Sequence, residues 1–209
     1  MNTEIERAYI VHDVAALRPG LARAGFSLVK KESQVNLYLD HPFLHLIEGK
    51  KYVRVRWIDG WANAEISFSH PSIFRTFEVR PQYSIHKKGR KSTDGVVDVL
   101  KKLGFFEALI IEKERELFTV GGGLPADGVV HVELDTGITI HPREVEYIPR
   151  AKKYDVRLED TVQVCIEVSG GSARGDIDID NVARDIGLRP SELITENYFD
   201  RYFNKPELH

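Results

Sequence analysis

Repeatedly along this chain, two ionisable residues stand two apart on either side of an apolar one. Glu4 and Glu6 flank Ile5, Arg54 and Arg56 flank Val55, and Glu78 and Arg80 flank Val79. Glu133 and Asp135 flank Leu134, Glu144 and Glu146 flank Val145, and Cys165 and Glu167 flank Ile166. Lys113 and Arg115 share the spacing around Glu114. Residues two apart on a strand share a face, so each pair sets its members on one face, opposite the residue between them, which is apolar in every pair but the last. Carboxylates side by side repel, and something positive should lie near them. An antiparallel sheet with one wet face accounts for such alternation. A sheet rolled into a barrel gives it a sharper meaning, because the ionic face then lines a cavity. An interior of Arg, Lys and carboxylates suits a polyphosphate held with a divalent metal. Guanidinium forks match phosphate oxygens two at a time, and Lys adds a point charge. Carboxylates hold Mg2+ or Mn2+ while phosphates complete the shell. Left without partners, such buried charges each cost several kcal/mol.

The elements that must position these residues are mostly strands. YVRVRW (52–57), AEISFS (64–69), FRTFEVRP (74–81), VVHVELD (129–135), REVEYI (143–148) and TVQVCIEV (161–168) alternate with period two. Helical spacing appears at 13–24, where Gly25 can end the turn and Pro19 interrupts it, and in STDGVVDVLKKLGF, which stops at Gly104. Residues 178–188 and 190–203 read as two further helices, with Pro190 and Ser191 opening the last. Residues 21–40 and 100–120 share one order, a helix, Gly-Phe and a charged strand, which hints at a duplicated half. Loops are expected at 58–63, 87–92, 121–128 and 169–176. None is long enough to be a linker, so residues 1–209 read as a single α+β domain, mostly antiparallel sheet, with helices outside or at its ends.

Composition narrows the function. A chain of 209 residues is ample for a core, and 42% hydrophobic with 29% charged residues is ordinary for a globular protein. The net charge of −3 speaks against a general nucleic-acid or membrane binder, while 29 Lys and Arg leave room for a local basic pocket. Cys165 is the single cysteine, which excludes an intrachain disulfide and a four-cysteine zinc site. There is no apolar run of about 18 residues, and the N-terminus is acidic, unlike a secretory signal; a cytoplasmic protein is expected. His12, His45, His70 and His86 are scattered without metal-binding spacing, and Gly121-Gly122-Gly123 reads as a turn, since no Lys-Ser/Thr follows it.

Several stretches, taken in order, resemble the CYTH superfamily of class IV adenylyl cyclases, thiamine triphosphatases and inorganic tripolyphosphatases. Glu4-Ile5-Glu6-Arg7 resembles its N-terminal ExExK signature. Gln34 to Asp40 resembles QxDxYF, with Asn36 for the usual Asp; Val53-Arg54-Val55-Arg56 resembles L-R-x-R, and Ile66 to Pro71 resembles L-T-Y-K-G-P. Lys113-Glu114-Arg115 followed by Phe118 resembles K-x-R-x-x-Y, Val132 to Asp135 a strand ending in L-D, and Glu196 to Asp200 the S-Y-x-D-L of a final helix. The resemblance implies a triphosphate tunnel, an antiparallel β-barrel with surrounding helices. Its substrates would be ATP, thiamine triphosphate or inorganic tripolyphosphate, its cofactor Mg2+ or Mn2+, and its members often dimerise. Two departures stand out: the family's lysines are replaced by Ala8 and Ser69. The late E-x-E strand has two candidates, Glu144-Val145-Glu146 and Cys165-Ile166-Glu167.

By that resemblance Arg54, Arg56, Lys113 and Arg115 grip the triphosphate, with Arg75, Glu78 and Arg80 as further tunnel residues. Glu4, Glu6 and either Glu146 or Glu167 hold the metal. Asp135 joins the metal site or opens a turn before Gly137. Gln34 and Tyr38 stand where a base or organic group would be selected, and Tyr198 reads as a core or lid residue. The reaction is cyclisation of ATP to cyclic AMP and pyrophosphate, or triphosphate hydrolysis. The alternative is a binding protein that keeps the tunnel and has lost its chemistry with the two lysines.

Overall fold

The structure is a computed structural model that describes residues 2–48, 52–59, 63–69, 78–81, 83–88, 90–123, 129–169, 179–196 and 198–205; within these, only the backbone is described for 2–5, 63–69, 78–81, 83–88, 90–94 and 167–169. The strands are β1 (Asn2–Ile10), β2 (Phe26–Asp40), β3 (Tyr52–Ile58), β4 (Asn63–Ser69), β5 (Glu78–Pro81), β6 (Tyr83–Lys88), β7 (Phe106–Val120), β8 (Val130–Pro142), β9 (Val156–Arg157), β10 (Thr161–Ser169) and β11 (Leu193–Ile194). The helices are α1 (Val14–Arg23), α2 (Arg90–Lys102), α3 (Ile179–Asp185) and α4 (Tyr198–Asn204). The fold is α+β, and every strand pairing is antiparallel.

Strand order makes the sheet curl. The path runs β6-β4-β3-β2-β7-β8-β10-β1, and β5 continues it beyond β1. One residue of sequence separates β5 from β6, so the two ends of the path are tied together by the chain. A sheet whose ends are so tied must roll into a tunnel, although no ladder between these ends closes it among the described residues. Its convex face is apolar. Under α1 and α3 lie Phe118, Val132, Leu134, Val162, Val164 and Ile166, packed with Leu17, Leu21, Ile179 and Ala183. Under α2 lie Leu37, Leu39, Val53, Val55 and Trp57, packed with Val97. Each such buried aliphatic side chain contributes about 1.5–3 kcal/mol. Val55, Leu134 and Ile166, the apolar partners of three of the pairs, thus supply the outer core, and their flanking residues are left for the concave side.

Helix ends follow their local chemistry. Asp13 caps α1 by accepting from the Ala16 amide at 3.0 Å. Gly25 and Gly104, at φ +82° and +94°, turn the chain from α1 into β2 and from α2 into β7. β2 and β7 then pair over their whole length, from Phe26 opposite Val120 to Asp40 opposite Phe106. The two similar sequence units therefore lie side by side and antiparallel, the arrangement a duplicated half would adopt.

Three stretches differ from the sequence reading. Residues 87–92, expected as a loop, are taken up by the end of β6 at Lys88 and by α2, which begins at Arg90. Residues 143–148 are not a strand; Val145–Tyr147 is a 3-10 turn. Pro142 ends β8, and the apolar residues of this stretch, Val145 and Ile148, are three apart, which is a helical spacing. Ile148 buries its side chain while its amide bonds back to Val145. Residues 190–203 do not form one helix. Pro190–Glu192 is a 3-10 turn in which Glu192 folds back on the Arg189 amide at 2.8 Å, and Leu193 leaves it extended. β11 then pairs with Ala8 and Tyr9 of β1, and α4 starts afresh at Tyr198. Ladder hydrogen bonds to β1 outweigh continued helix here.

Gly20 of α1 packs against the end of α3 so closely that a Cβ would lie 2.1 Å from the Ile186 carbonyl oxygen. Gly20→Ala is therefore expected to lower the unfolding free energy by about 1–3 kcal/mol, although Ala is the better helix former by about 1 kcal/mol. Denaturant unfolding checks this; an unchanged or raised midpoint would mean that α1 and α3 do not touch there.

Candidate functional site

Register brings the concave-face residues together. Residues directly opposite in an antiparallel pair share a face. One row sets Ile10, Thr161, Asp135, Arg115 and Glu32 side by side across β1, β10, β8, β7 and β2. Further along, Gln34 stands opposite Lys113, Asn36 opposite both Ile111 and Arg56, and Tyr38 opposite both Leu109 and Arg54. Arg54, Lys113 and Arg115 are buried and Arg56 is half-buried. The cations of two non-adjacent strands are thus gathered on one side of the rolled sheet, as the charge spacing predicted.

Asp135 is the hub of this cluster and is wholly buried. Its Oδ1 accepts from Arg115 Nε at 2.7 Å, and its Oδ2 from Arg115 Nη2 at 2.8 Å and Lys113 Nζ at 2.5 Å. The Tyr198 hydroxyl donates to the same Oδ2 at 2.7 Å. Arg115 also pairs with Glu133 through Nη1 and donates to Gln163 Oε1 at 3.2 Å. Lys113 lies 5.1 Å from the centre of the Tyr198 ring. Nearby, Arg56 Nε donates to Asn36 Oδ1 at 2.7 Å, and Asn36 Nδ2 to the Ile111 carbonyl at 3.2 Å. Gln34 donates to Glu32 through Nε2, while its buried Oε1 has no hydrogen-bond partner.

These contacts set the charge states. Burial, with the Arg115 guanidinium beside it, pulls Lys113 down to about 7 despite Asp135. Burial alone pushes the Asp135 carboxyl up, but Arg115 and Lys113 together hold it well below the usual carboxylate range. Burial and Asp135 push the Tyr198 phenol well above its ordinary value, so it stays a donor.

Beyond this cluster the concave face turns apolar, with Tyr38, Leu109, Ile111, Ile138 and Ile140, and α4 seals it with Phe199 and Tyr202. The Tyr38 and Phe199 rings meet edge to face at 4.8 Å. α4 is held from outside by Arg201, which donates to Glu159 Oε2 at 2.9 Å. Tyr198 therefore does sit at the core, as the sequence suggested, but its hydroxyl belongs to the charged cluster. That role comes from the docking of α4 and had no local signal. Gln163 was legible, since it lies two before Cys165 on the same strand face.

At the other end, β1 and β10 set Glu4 opposite Glu167 and Glu6 opposite Cys165, and β5 sets Arg80 opposite Glu4 and Glu78 opposite Glu6. Of the two candidates for the late acidic strand, only Cys165–Glu167 lies on one. Glu146 is a correction: it is exposed in the 3-10 turn, because the chain has left the sheet at Pro142. Arg75 lies outside the described residues. Asp135 opens no turn; β8 continues past Gly137, which adopts φ +64°. Among the described residues no three His, Cys, Asp or Glu side chains stand at metal-ligating spacing, and no helix is long and apolar enough to cross a membrane.

Comparison with known proteins places this arrangement. The CYTH domain profile matches residues 2–163. The PH1819 protein of Pyrococcus horikoshii OT3 superposes with a TM-score of 0.69 at 17% identity, covering 94% of this chain and 96% of its own. A proposed adenylate cyclase from Vibrio parahaemolyticus gives 0.65 at 16%, covering 93% and 94%. HpAC1 from Hippeastrum, a proposed adenylyl cyclase with a dominant triphosphatase activity, gives 0.61 at 13%, covering 97% and 95%. These likenesses show the fold. No curated protein matches the chain in sequence.

Proposed function

The chain belongs to the CYTH domain family, a family that acts on triphosphates, and on that premise we propose that it binds a linear triphosphate in its tunnel and hydrolyses or cyclises it. The observation that carries the reading is the gathering of Arg54, Arg56, Lys113 and Arg115 on one concave, largely buried face. A face carrying several fixed cations in a low-dielectric hollow favours a multiply charged anion. Arg54 and Arg56 would take phosphate oxygens through their forks. Arg115, locked by Asp135 and Glu133, would present a pre-oriented charge without reorganisation. Asp135, with both oxygens engaged by N–H and O–H donors, fits a positioning role better than that of a metal ligand.

The residues of β1 and β10 fit a divalent cation. Register pairs Glu4 with Glu167 and places Glu6 one step further along the same face, and carboxylate oxygens are the donors that Mg2+ or Mn2+ takes. Those residues would hold it, and the ion would supply charge neutralisation for the phosphates. Gln34 Oε1, an unpartnered buried acceptor, suits a donor from the organic part of the substrate. A second reading, binding without turnover, is supported by Ala8 and Ser69, which leave two positions uncharged; removal of one stabilising group commonly costs about 10²–10³ in rate.

The test is a panel of ATP, thiamine triphosphate and tripolyphosphate with Mg2+ and with Mn2+. Phosphate release identifies hydrolysis, and cyclic AMP with pyrophosphate identifies cyclisation. Saturable binding without product supports the second reading, and absence of binding sinks both. Titration adds a check. Phosphate oxygens beside Lys113 would raise its pKa above about 7. A group whose bound pKa exceeds its unbound one strengthens binding fully below the unbound value and loses that contribution as pH rises through the bound one. Tripolyphosphate binding is therefore expected to take up protons at pH 8 and to weaken as pH rises above 7. Calorimetry in buffers of different ionisation enthalpy reads the uptake, and Lys113→Met should remove it.

A further inference from the structure

Asn36 stands where the CYTH pattern has Asp. It is 1% exposed and lies on β2 between Ile111 of β7 and Arg56 of β3. A buried amide has to place both its donor and its acceptor. Asn36 Nδ2 donates to the Ile111 carbonyl at 3.2 Å, which leaves Oδ1 turned toward β3, where it accepts from Arg56 Nε at 2.7 Å. A guanidinium is planar and its donors are rigidly disposed, so a bond at Nε aims the whole fork. Lys113 shares this part of the hollow, one row along and opposite Gln34. After burial and Arg115, the Arg56 charge further lowers the Lys113 ammonium, so the two cations stand within electrostatic reach of each other. Asp135 accepts from Lys113, and Glu65 of β4 stands opposite Arg56 in register. Asn36 itself orients Arg56 without adding a counter-charge.

We infer that Asn36 is a positioning residue for the anion: it holds the Arg56 fork beside Lys113 as a clamp on one phosphate group, and its neutral amide leaves the clamp its full charge. Neighbouring like charges repel, and an oxyanion set between them relieves the repulsion. An Asp at this position would accept the same Nε bond but would neutralise the guanidinium and face the bound phosphate with a like charge. Ala8 and Ser69 remove two positive charges from the tunnel pattern, and Asn36 removes one negative charge, so part of the balance is restored. This role rests on the triphosphate reading and deepens it, since it assigns the clamp to a fully ionised phosphate.

The experiment is calorimetric titration of the full chain with tripolyphosphate, with and without Mg2+. Variants are checked by circular dichroism and binding is referred to the folded fraction. Asn36→Asp nearly keeps the shape and adds charge; it should weaken binding about tenfold or more, as a like charge beside a bound anion does. Asn36→Leu keeps the volume and removes both hydrogen bonds. It should weaken binding about two- to tenfold, the cost of ordering one long side chain on binding. In an Arg56→Gln background the Leu substitution should change affinity by less than about twofold, because no fork is left to aim. A purely structural role for Asn36 would give the same loss in both backgrounds. That result, or a folded Asn36→Asp variant that binds as tightly as wild type or more tightly, overturns the inference and leaves the triphosphate reading standing. A wild type that does not bind tripolyphosphate removes both.

Discussion

Asp135→Ala is expected to cost about 3–5 kcal/mol of stability, the cost of leaving buried cations without their counter-charge. Asp135 is wholly buried and takes four hydrogen bonds from Lys113, Arg115 and Tyr198. Arg115 would keep Glu133, but Lys113 and the Tyr198 hydroxyl would lose their shortest partner. Asp135→Asn should cost less, since it retains a carbonyl acceptor. The pH dependence has a definite sign. The Asp135 carboxyl is depressed in the fold, so its contribution is complete above the unfolded value of about 3.9 and is lost as pH falls through the folded one. Wild type should therefore lose this stability only below about pH 4, and the alanine variant should have a shallower acid limb. Urea unfolding from pH 2 to 7 measures both. A loss below about 1 kcal/mol, the range of exposed ion pairs, would show that the cluster is solvated and not an interior hub.

Arg54→Ala with Arg56→Ala should weaken tripolyphosphate binding by about 10²–10⁴-fold. Each guanidinium–phosphate contact is a charge-assisted hydrogen bond of about 1.5–3 kcal/mol, and about 1.4 kcal/mol is tenfold in affinity. Arg54 is buried beside Tyr52, 5.6 Å from its ring centre, so the variant also loses packing. Binding must be referred to the folded fraction, and Arg54→Lys with Arg56→Lys, which keeps the charge but not the fork, should fall between. Lys31, exposed on the opposite face and 3.5 Å from Glu116, is the control; Lys31→Ala should leave affinity unchanged. Calorimetry decides, and unaltered affinity in a folded double-alanine variant would remove the tunnel cations from the function.

The primary sequence by itself determined which residues face inward. Period-two alternation is a property of the extended backbone, so Arg54, Arg56, Lys113, Arg115, Asp135 and Glu6 could be assigned to one face before any strand was paired. The positive-φ glycines and the Asp13 cap likewise set helix ends through local sterics and local hydrogen bonds. Alternation without pairing was insufficient at 143–148, where so short a stretch fits a turn as well as a strand. At 190–203 a local helical pattern yielded to the ladder β11 makes with β1. Only the tertiary structure decided which charges meet. The Lys113–Asp135–Tyr198 contact joins residues 22, 63 and 85 apart in sequence, and the Ile111–Asn36–Arg56 row depends on β2 lying between β7 and β3. Such contacts follow from strand order and register, which are fixed when the curled sheet and its sealing helix bury their apolar faces together. No spacing within a single strand encodes that cooperative choice.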